Sequence, residues 1–169
     1  MMHADGLVTK AQSGDQKAFG KLMGLWFKRI YNFSFKYFGD HDLAMEASQK
    51  TFIAVYENLR KLQDASKFKY WLYRIAWNQC HEEERRAKRK TWFSIFTSRE
   101  ANQATEFHLT PDKELHIKEM GEIMADMLKS LPEEQKTILI LKEYEGMKFR
   151  EISEMLGISN HRPSAGTLW

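Results

Sequence analysis

The stretch KFKYWLYRIAWNQCHEEERRAKRK, residues 67–90, decides how the rest of the chain is read. Its spacing predicts one helix with two unlike faces. Phe68, Trp71, Leu72, Ile75 and Ala76 fall at i, i+3, i+4, i+7 and i+8, the spacing of a buried stripe. Turned away from that stripe are Tyr70, Tyr73, Arg74, Trp77, Asn78 and His81, then Arg85 and Arg86. Flat aromatics are interleaved there with donors and cations. Single-stranded nucleic acid asks for this mixture, because bases stack on rings while phosphates meet cations. The helix closes on Arg85, Arg86, Lys88, Arg89 and Lys90, with Ala87 the one uncharged residue in the run. A plain core helix whose charged end faces water fits the same pattern, and spacing does not separate the two.

Composition narrows the classes. A chain of 169 residues holds one large domain or two small ones. Apolar content of 43% and aromatic content of 13% suit a folded chain. No apolar run approaches the roughly 18 residues of a membrane span. The start, MMHADGLVTKAQSGDQKAF, lacks the basic flank and apolar core of a secretory signal. Cys80 is the only cysteine, so no internal disulfide forms, and a reducing cytoplasmic setting is expected. Beside His81 it lacks the further ligands of a metal site and the spaced base of a nucleophile. His3, His41, His81, His108, His116 and His161 are scattered, and no paired acids stand out. No enzyme, metal, cofactor or small-molecule substrate is expected.

Charge divides the chain. Residues 1–90 carry 17 Lys and Arg against 10 Asp and Glu, a balance of +7, whereas residues 91–169 carry 9 against 13, a balance of −4. The basic part argues for an anionic partner. The acidic part argues against a uniform coat of nucleic acid over the whole molecule.

Strand signals are poor, and helical periodicity recurs, so the fold class is all-α. A short helix is predicted over residues 7–13. Asp15 then caps a long helix over 16–37, striped by Phe19, Leu22, Met23, Trp26, Ile30, Phe33 and Tyr37. Gly39-Asp40 ends it. The next helix spans 42–62 with Ala44, Ala47, Ser48, Thr51, Phe52, Val55, Leu59 and Leu62 inward. Its outer face carries Glu46, Gln49, Lys50, Ile53, Glu57 and Arg60. Ser66 is the expected N-cap of the organising helix. Residues 91–110 read as a linker, although Trp92, Phe93, Ile95 and Phe96 are too apolar to be left in water and should pack on the first domain or on a partner.

A second unit starts near Asp112. Leu115, Ile117, Met120, Ile123, Met124, Met127 and Leu128 mark one helix. Leu131-Pro132-Glu133-Glu134 opens another, with proline in the first turn and acids at the positive dipole end. GMKFREISEMLGIS, residues 146–159, then has an amphipathic helix on Phe149, Ile152, Met155 and Leu156, a glycine turn at Gly157 and a cap at Ser159. That is the pattern of a helix-turn-helix.

Taken in order, these motifs resemble bacterial RNA polymerase sigma factors of the extracytoplasmic-function (ECF) group over roughly residues 7–159. GDQKAFGKLMGLW resembles the opening of sigma region 2, and DLAMEASQKTFIAVYENL resembles region 2.2, the main surface that docks on core polymerase. FKYWLYRIAWNQCHEEERRAKRK resembles the part that melts and reads the promoter, and LPEEQKTILILKEYEGMKFREISEMLGIS resembles region 4. The resemblance implies two small helical domains, a region 2 bundle and a region 4 helix-turn-helix, joined by a linker. The implied division is 1–92, linker 93–111 and 112–169.

By the same resemblance, Glu46, Gln49, Lys50 and Ile53 meet core polymerase, while Phe52 is core. Trp71, Leu72 and Ile75 are structural, and Asn78 faces DNA. The loop 61–69 captures a flipped base, with Gln63, Asp64 and Ser66 as hydrogen-bonding groups. Tyr70, Tyr73, Arg74, Trp77 and Asn78 take melted bases. Arg85, Arg86, Lys88, Arg89 and Lys90 meet phosphates. The implied function is to bind core RNA polymerase and direct promoter recognition, melting and initiation, with promoter DNA and an anti-sigma protein as further partners.

Two departures stand out. Glu82, within Glu82-Glu83-Glu84, occupies a place where the family has Asp, and that turn is expected to face protein or water. Residues 160–169, NHRPSAGTLW, lack the basic recognition helix of the family, so a truncated or altered end is expected. A sigma-like decoy and a helix-turn-helix regulator that never binds polymerase are the alternatives.

Overall fold

The computed structural model describes residues 4–97, 127–128 and 130–158, with side chains described from 5–93 in the first span. Among these residues the regular structure is helical. α1 (Ala4–Gln12) buries Leu7 and Val8. α2 (Gln16–Phe38) starts where the Asp15 carboxylate accepts from the amides of Lys17 at 2.9 Å and Ala18 at 3.1 Å. It buries Leu22, Trp26, Ile30, Phe33 and Tyr37 along one stripe. Gly39 closes it at φ 64°, a left-handed conformation that needs no side chain in the way.

Asp40 then caps α3 (His41–Asn58), accepting from Leu43 N at 2.9 Å. Its inward stripe includes two hydroxyls. Ser48 donates to Ala44 O at 2.6 Å and Thr51 to Ala47 O at 2.7 Å, so both are buried without an orphaned donor. α3 ends earlier than the sequence predicts. Leu59–Lys61 tightens into a 3-10 turn, and Gln12 of α1 donates to the carbonyls of Leu59 at 3.0 Å and Leu62 at 2.6 Å. Tertiary capping by Gln12 stops the helix there.

α4 (Phe68–Thr97) departs from expectation in three ways. Its entry is capped by Asp64 rather than Ser66, through a second 3-10 turn, Ala65–Lys67. It continues past residue 90 into the predicted linker. Trp92 and Phe93 lie on that extension with much of their surface exposed. The buried stripe is also rotated. Phe68, Leu72, Tyr73, Ala76 and Cys80 are buried, while Trp71 and Ile75 are only partly so. The reason is that α4 wedges between α2 and α3, and the large rings of Trp26 and Phe33 recruit Tyr73 into edge-to-face contacts at 6.4 Å and 5.7 Å.

α5 (Glu133–Glu143) follows Pro132, and α6 (Phe149–Leu156) ends at Gly157, φ 69°. Ile140, Leu141, Met147, Ile152 and Met155 form their common core with Leu128. Phe149, expected in that core, is 62% exposed, and Lys142 Nζ sits 5.2 Å from its ring centre. The α5–α6 hairpin packs against α2 and α4, so the buried cluster runs continuously through both parts. Leu115, Ile117, Met120, Ile123, Met124, Ser159 and residues 160–169 lie outside the described residues, as does most of the predicted linker.

Candidate polymerase and nucleic-acid interface

The outer face of α3 carries Glu46, Gln49 and Ile53, all exposed, while Phe52 behind them is buried. Ile53 is 58% exposed in a ring of polar groups, the unusual place for a β-branched apolar side chain. Lys50 is less available. Its ammonium bonds Glu83 of α4 and lies 2.9 Å from Glu46. Arg86 reaches the same Glu46 at 3.5 Å and Glu83 at 3.7 Å. The Glu83 and Glu46 carboxylates hold the Lys50 ammonium above its usual range, and Lys50 in turn lowers the Glu46 carboxyl. One four-residue charge cluster thus joins the outer face of α3 to the basic end of α4.

On α4, Arg74 and Asn78 are exposed, and Tyr70 and Trp77 are partly buried. At i, i+4, i+7 and i+8 these four line one edge of the helix. Trp77 stacks on His81, centroids 5.8 Å apart. Tyr73 is a correction to the sequence-based site. It is fully buried and belongs to the core, so it cannot stack on a base. Only its hydroxyl emerges from the ring contacts, and it donates to Glu145 of the segment between α5 and α6. Burial and that bond push the Tyr73 phenol well above its ordinary value.

In the loop before α4, Gln63, Asp64 and Ser66 are exposed. Asp64 is committed to its own turn, accepting from Ser66 N at 3.0 Å and Ser66 Oγ at 2.6 Å. The Ser66 hydroxyl holds the Asp64 carboxyl below its usual range. Gln63 carries the side-chain amide not used by that turn.

The triple acid resolves into three roles. Glu82 is exposed, Glu83 is buried against Lys50, and Glu84 accepts from the Tyr37 phenol at 2.7 Å. All five predicted phosphate cations, Arg85, Arg86, Lys88, Arg89 and Lys90, are exposed, but two of them are engaged in ion pairs. Arg86 is tied to the α3 cluster, and Lys88 to Glu84 at 3.3 Å and Glu133 at 3.0 Å.

The C-terminal hairpin supplies contacts that the sequence did not reveal. Lys69 Nζ donates to Glu145 O at 3.2 Å, and the Tyr70 hydroxyl donates to Glu151 Oε1 at 2.7 Å. His81 Nδ1 stands 2.5 Å from Glu133 Oε2, at ion-pair distance but outside hydrogen-bond geometry. Lys136 is buried, its ammonium 4.1 Å from the Tyr37 ring centre and 3.9 Å from Glu84. Lys136 had a legible signal. It stands four residues before Ile140, on the stripe it shares with Thr137 and Leu141. No three His, Cys, Asp or Glu side chains gather as metal ligands among the described residues. None of the described helices is long and apolar enough to cross a membrane.

The fold is a two-part helical protein, with an exposed polar face on α3 and an edge of aromatic, polar and basic side chains on α4. Sigma-70 region 2 matches residues 23–90, and Sigma-70, region 4 matches residues 121–161. The chain is 30% identical over 155 residues to the ECF RNA polymerase sigma-E factor of Haemophilus influenzae, covering 89% of this chain and 82% of that protein. It is 27% identical to the RNA polymerase sigma-H factor of Pseudomonas aeruginosa, over 89% of this chain and 80% of that one. Against the ECF RNA polymerase sigma factor SigW of Bacillus subtilis the identity is 24%, over 89% and 83%. The fold matches CnrH, solved in complex with the cytosolic domain of CnrY, with TM-score 0.65 at 20% identity over 92% of this chain and 84% of that one. The chain belongs to the ECF RNA polymerase sigma factors. It is a polymerase-binding, promoter-recognising protein of transcription initiation.

Proposed function

We propose that this sigma factor docks on core polymerase through Glu46, Gln49, Lys50 and Ile53 and takes melted promoter bases along α4 at Tyr70, Arg74, Trp77 and Asn78. The observation that carries the reading is the edge of α4. Its inner stripe is buried, while aromatic and hydrogen-bonding side chains stand in line on the opposite edge and end in exposed cations. Bases stack on such rings, and phosphates meet Arg85, Arg89 and Lys90 without sequence preference. Arg86 and Lys88 join them once their acidic partners let go. Gln63, Asp64 and Ser66 form the pocket edge for a flipped base, with Gln63 the group most ready to bond it.

The work divides at 1–92, a connector at 93–111 and a promoter-reading unit at 112–169. The protein acts in the cytoplasm, without metal or cofactor, by binding rather than by a reaction of its own. Its regulator is an anti-sigma protein that covers these same faces.

The test is in vitro transcription from a pool of genomic promoter fragments with purified core polymerase. The wild-type chain co-elutes with core and yields defined transcripts. Q49A/I53D is expected to lose co-elution. R74A/N78A should co-elute but fail to open promoters. A wild-type chain that does not co-elute with core overturns the docking assignment and leaves a helix-turn-helix regulator. Co-elution without any transcript leaves a decoy.

A further inference from the structure

We propose that the cleft between the α1–α2 turn and the C-terminal end of α3 is a binding site for a guanine nucleotide. Its volume is about 450 Å³, within the ~300–1,000 Å³ of small-molecule sites. None of the residues assigned above to polymerase or DNA lines it. Both walls are fixed by the fold. Gln12 donates to the carbonyls of Leu59 at 3.0 Å and Leu62 at 2.6 Å, which holds the 3-10 turn that carries Arg60. On the other side Gly14 N donates to Ala11 O at 3.0 Å, and Asp15 caps α2. A site set in place before binding loses less freedom when its ligand arrives.

Arg60 stands three residues after Glu57, a spacing that brings opposite charges together on a helix. They do not meet here. Among the described residues neither takes part in an ion pair. The guanidinium reaches Gly14 instead, with Nη2 3.7 Å from where a Cβ would stand on that residue. Gly14 has φ 94° and no side chain, so cation and carboxylate line one cleft as separate groups. Phe19 and Tyr56 add an aromatic wall, their ring centres 5.1 Å apart and edge-to-face, with Tyr56 60% exposed. A guanidinium pairs with phosphate through two parallel bonds. Aromatic faces stack on bases. A carboxylate only accepts hydrogen bonds, and guanine is the base whose pairing edge offers two adjacent donors, N1–H and the N2 amino group. Adenine and cytosine place a ring-nitrogen acceptor there, which a carboxylate repels, and uracil flanks its single N–H with carbonyls. Glu57 is the base-reading acid, because Asp15 Oδ1 already takes the amides of Lys17 and Ala18.

The experiment is equilibrium dialysis of the full chain against radiolabelled GMP, AMP, guanosine and inorganic phosphate. GMP should be retained. AMP should bind about tenfold more weakly, since two charge-assisted hydrogen bonds are lost. Arg60→Ala should weaken GMP roughly tenfold, toward the level of guanosine, and leave guanosine unchanged. Glu57→Gln should erase the preference for GMP over AMP. Tyr56→Leu should weaken both nucleotides alike. All three positions are exposed, so an unchanged melting temperature is expected for each variant. Should Arg60→Ala melt lower, Arg60→Lys takes its place: it keeps the charge, loses the paired bonds and should still weaken GMP but not guanosine. Lys21→Ala removes an exposed cation outside the cleft and should leave GMP binding unchanged.

Failure of the wild-type chain to retain GMP overturns the site, as do equal affinities for GMP and AMP. Inorganic phosphate held as tightly as GMP also overturns it, because the base then contributes nothing. A loss in Lys21→Ala as large as that in Arg60→Ala means that net positive charge gathers the phosphate, and the cleft falls with it. Undiminished GMP binding in both Arg60 variants has the same consequence.

Discussion

Lys136 Nζ lies 4.1 Å from the centre of the Tyr37 ring, with both side chains buried where the C-terminal hairpin meets α2. Tyr37 donates to Glu84, and Glu84 faces Lys136, so the three groups form a closed set. A desolvated cation over a ring gains about 2 kcal/mol.

Removing the three members should not cost alike. Glu84→Ala leaves a buried ammonium with only a ring and is expected to destabilise by about 3 kcal/mol. Tyr37→Phe keeps the ring and loses one hydrogen bond, about 1 kcal/mol. Lys136→Met replaces the cation with an apolar chain of similar length and should be close to neutral. Urea denaturation of the three variants checks this order.

Lys50 should matter for stability before it matters for polymerase. Its main partner, Glu83, is buried, and the other cation near it, Arg86, is half exposed. Lys50→Met leaves that carboxylate underpaired, for an expected loss of about 2 kcal/mol. Arg86→Ala should cost under ~1 kcal/mol. Gln49→Ala, on the same face but exposed, should leave the denaturation midpoint unchanged while lowering affinity for core in a titration.

Trp77→Phe removes the orphaned indole N–H and keeps a ring. Relieving a buried unsatisfied donor should stabilise the folded protein by about 1 kcal/mol. The same change weakens base stacking. A higher melting temperature together with slower promoter opening is expected, and a drop in melting temperature would show the N–H to be satisfied.

The pH dependence has a sign at each end. Glu133 faces His81 and Lys88, Glu151 accepts from Tyr70, and both carboxyls are lowered. For Glu133, the Lys88 bond and the His81 charge outweigh the burial that would raise it. For Glu151, the Lys148 amide is the first cause. Their contribution is full above the ordinary carboxylate value near 4.5 and is lost as pH falls through the lowered values. At the other end, the Tyr70, Tyr73 and Tyr37 phenols and the Lys50 and Lys88 ammoniums are raised. Their contribution is full below the ordinary values near 10 and is lost as pH rises through the raised ones. Protection of α6 amides in hydrogen exchange, once corrected for intrinsic rates, should therefore form a plateau between these limits.

Cys80 should be inert to thiol reagents in the folded protein. Burial pushes its thiol up to about 12, and the thiolate is the reactive form. Labelling by a maleimide in mildly alkaline buffer should follow global unfolding, appearing only as denaturant is added.

Much of the local structure was legible because it depends on neighbours in sequence. Asp15, Gly39 and Asp40 cap or close helices through bonds that span no more than four residues. The stripe of α2 follows the same short-range geometry. Glu46, Gln49 and Ile53 emerged on one exposed face because α3 is regular across them. The face of Tyr73 was not legible. A tyrosine has an apolar body and a polar tip, so spacing alone suits it to either face. Its burial required Trp26 and Phe33 from another helix and an acceptor, Glu145, from beyond the connector.

By itself, the sequence determined the helical class, the order of the motifs, the exposed edge of α3, and Arg74 and Asn78 on the outer edge of α4. These follow from periodicity and from side-chain chemistry, which act over a few residues. Tertiary structure alone decided which donors of α4 are occupied, and that Glu133, Glu145 and Glu151 are what occupies them. A hydrogen bond or ion pair between distant segments depends on how whole helices are set against each other, and no local pattern encodes that distance.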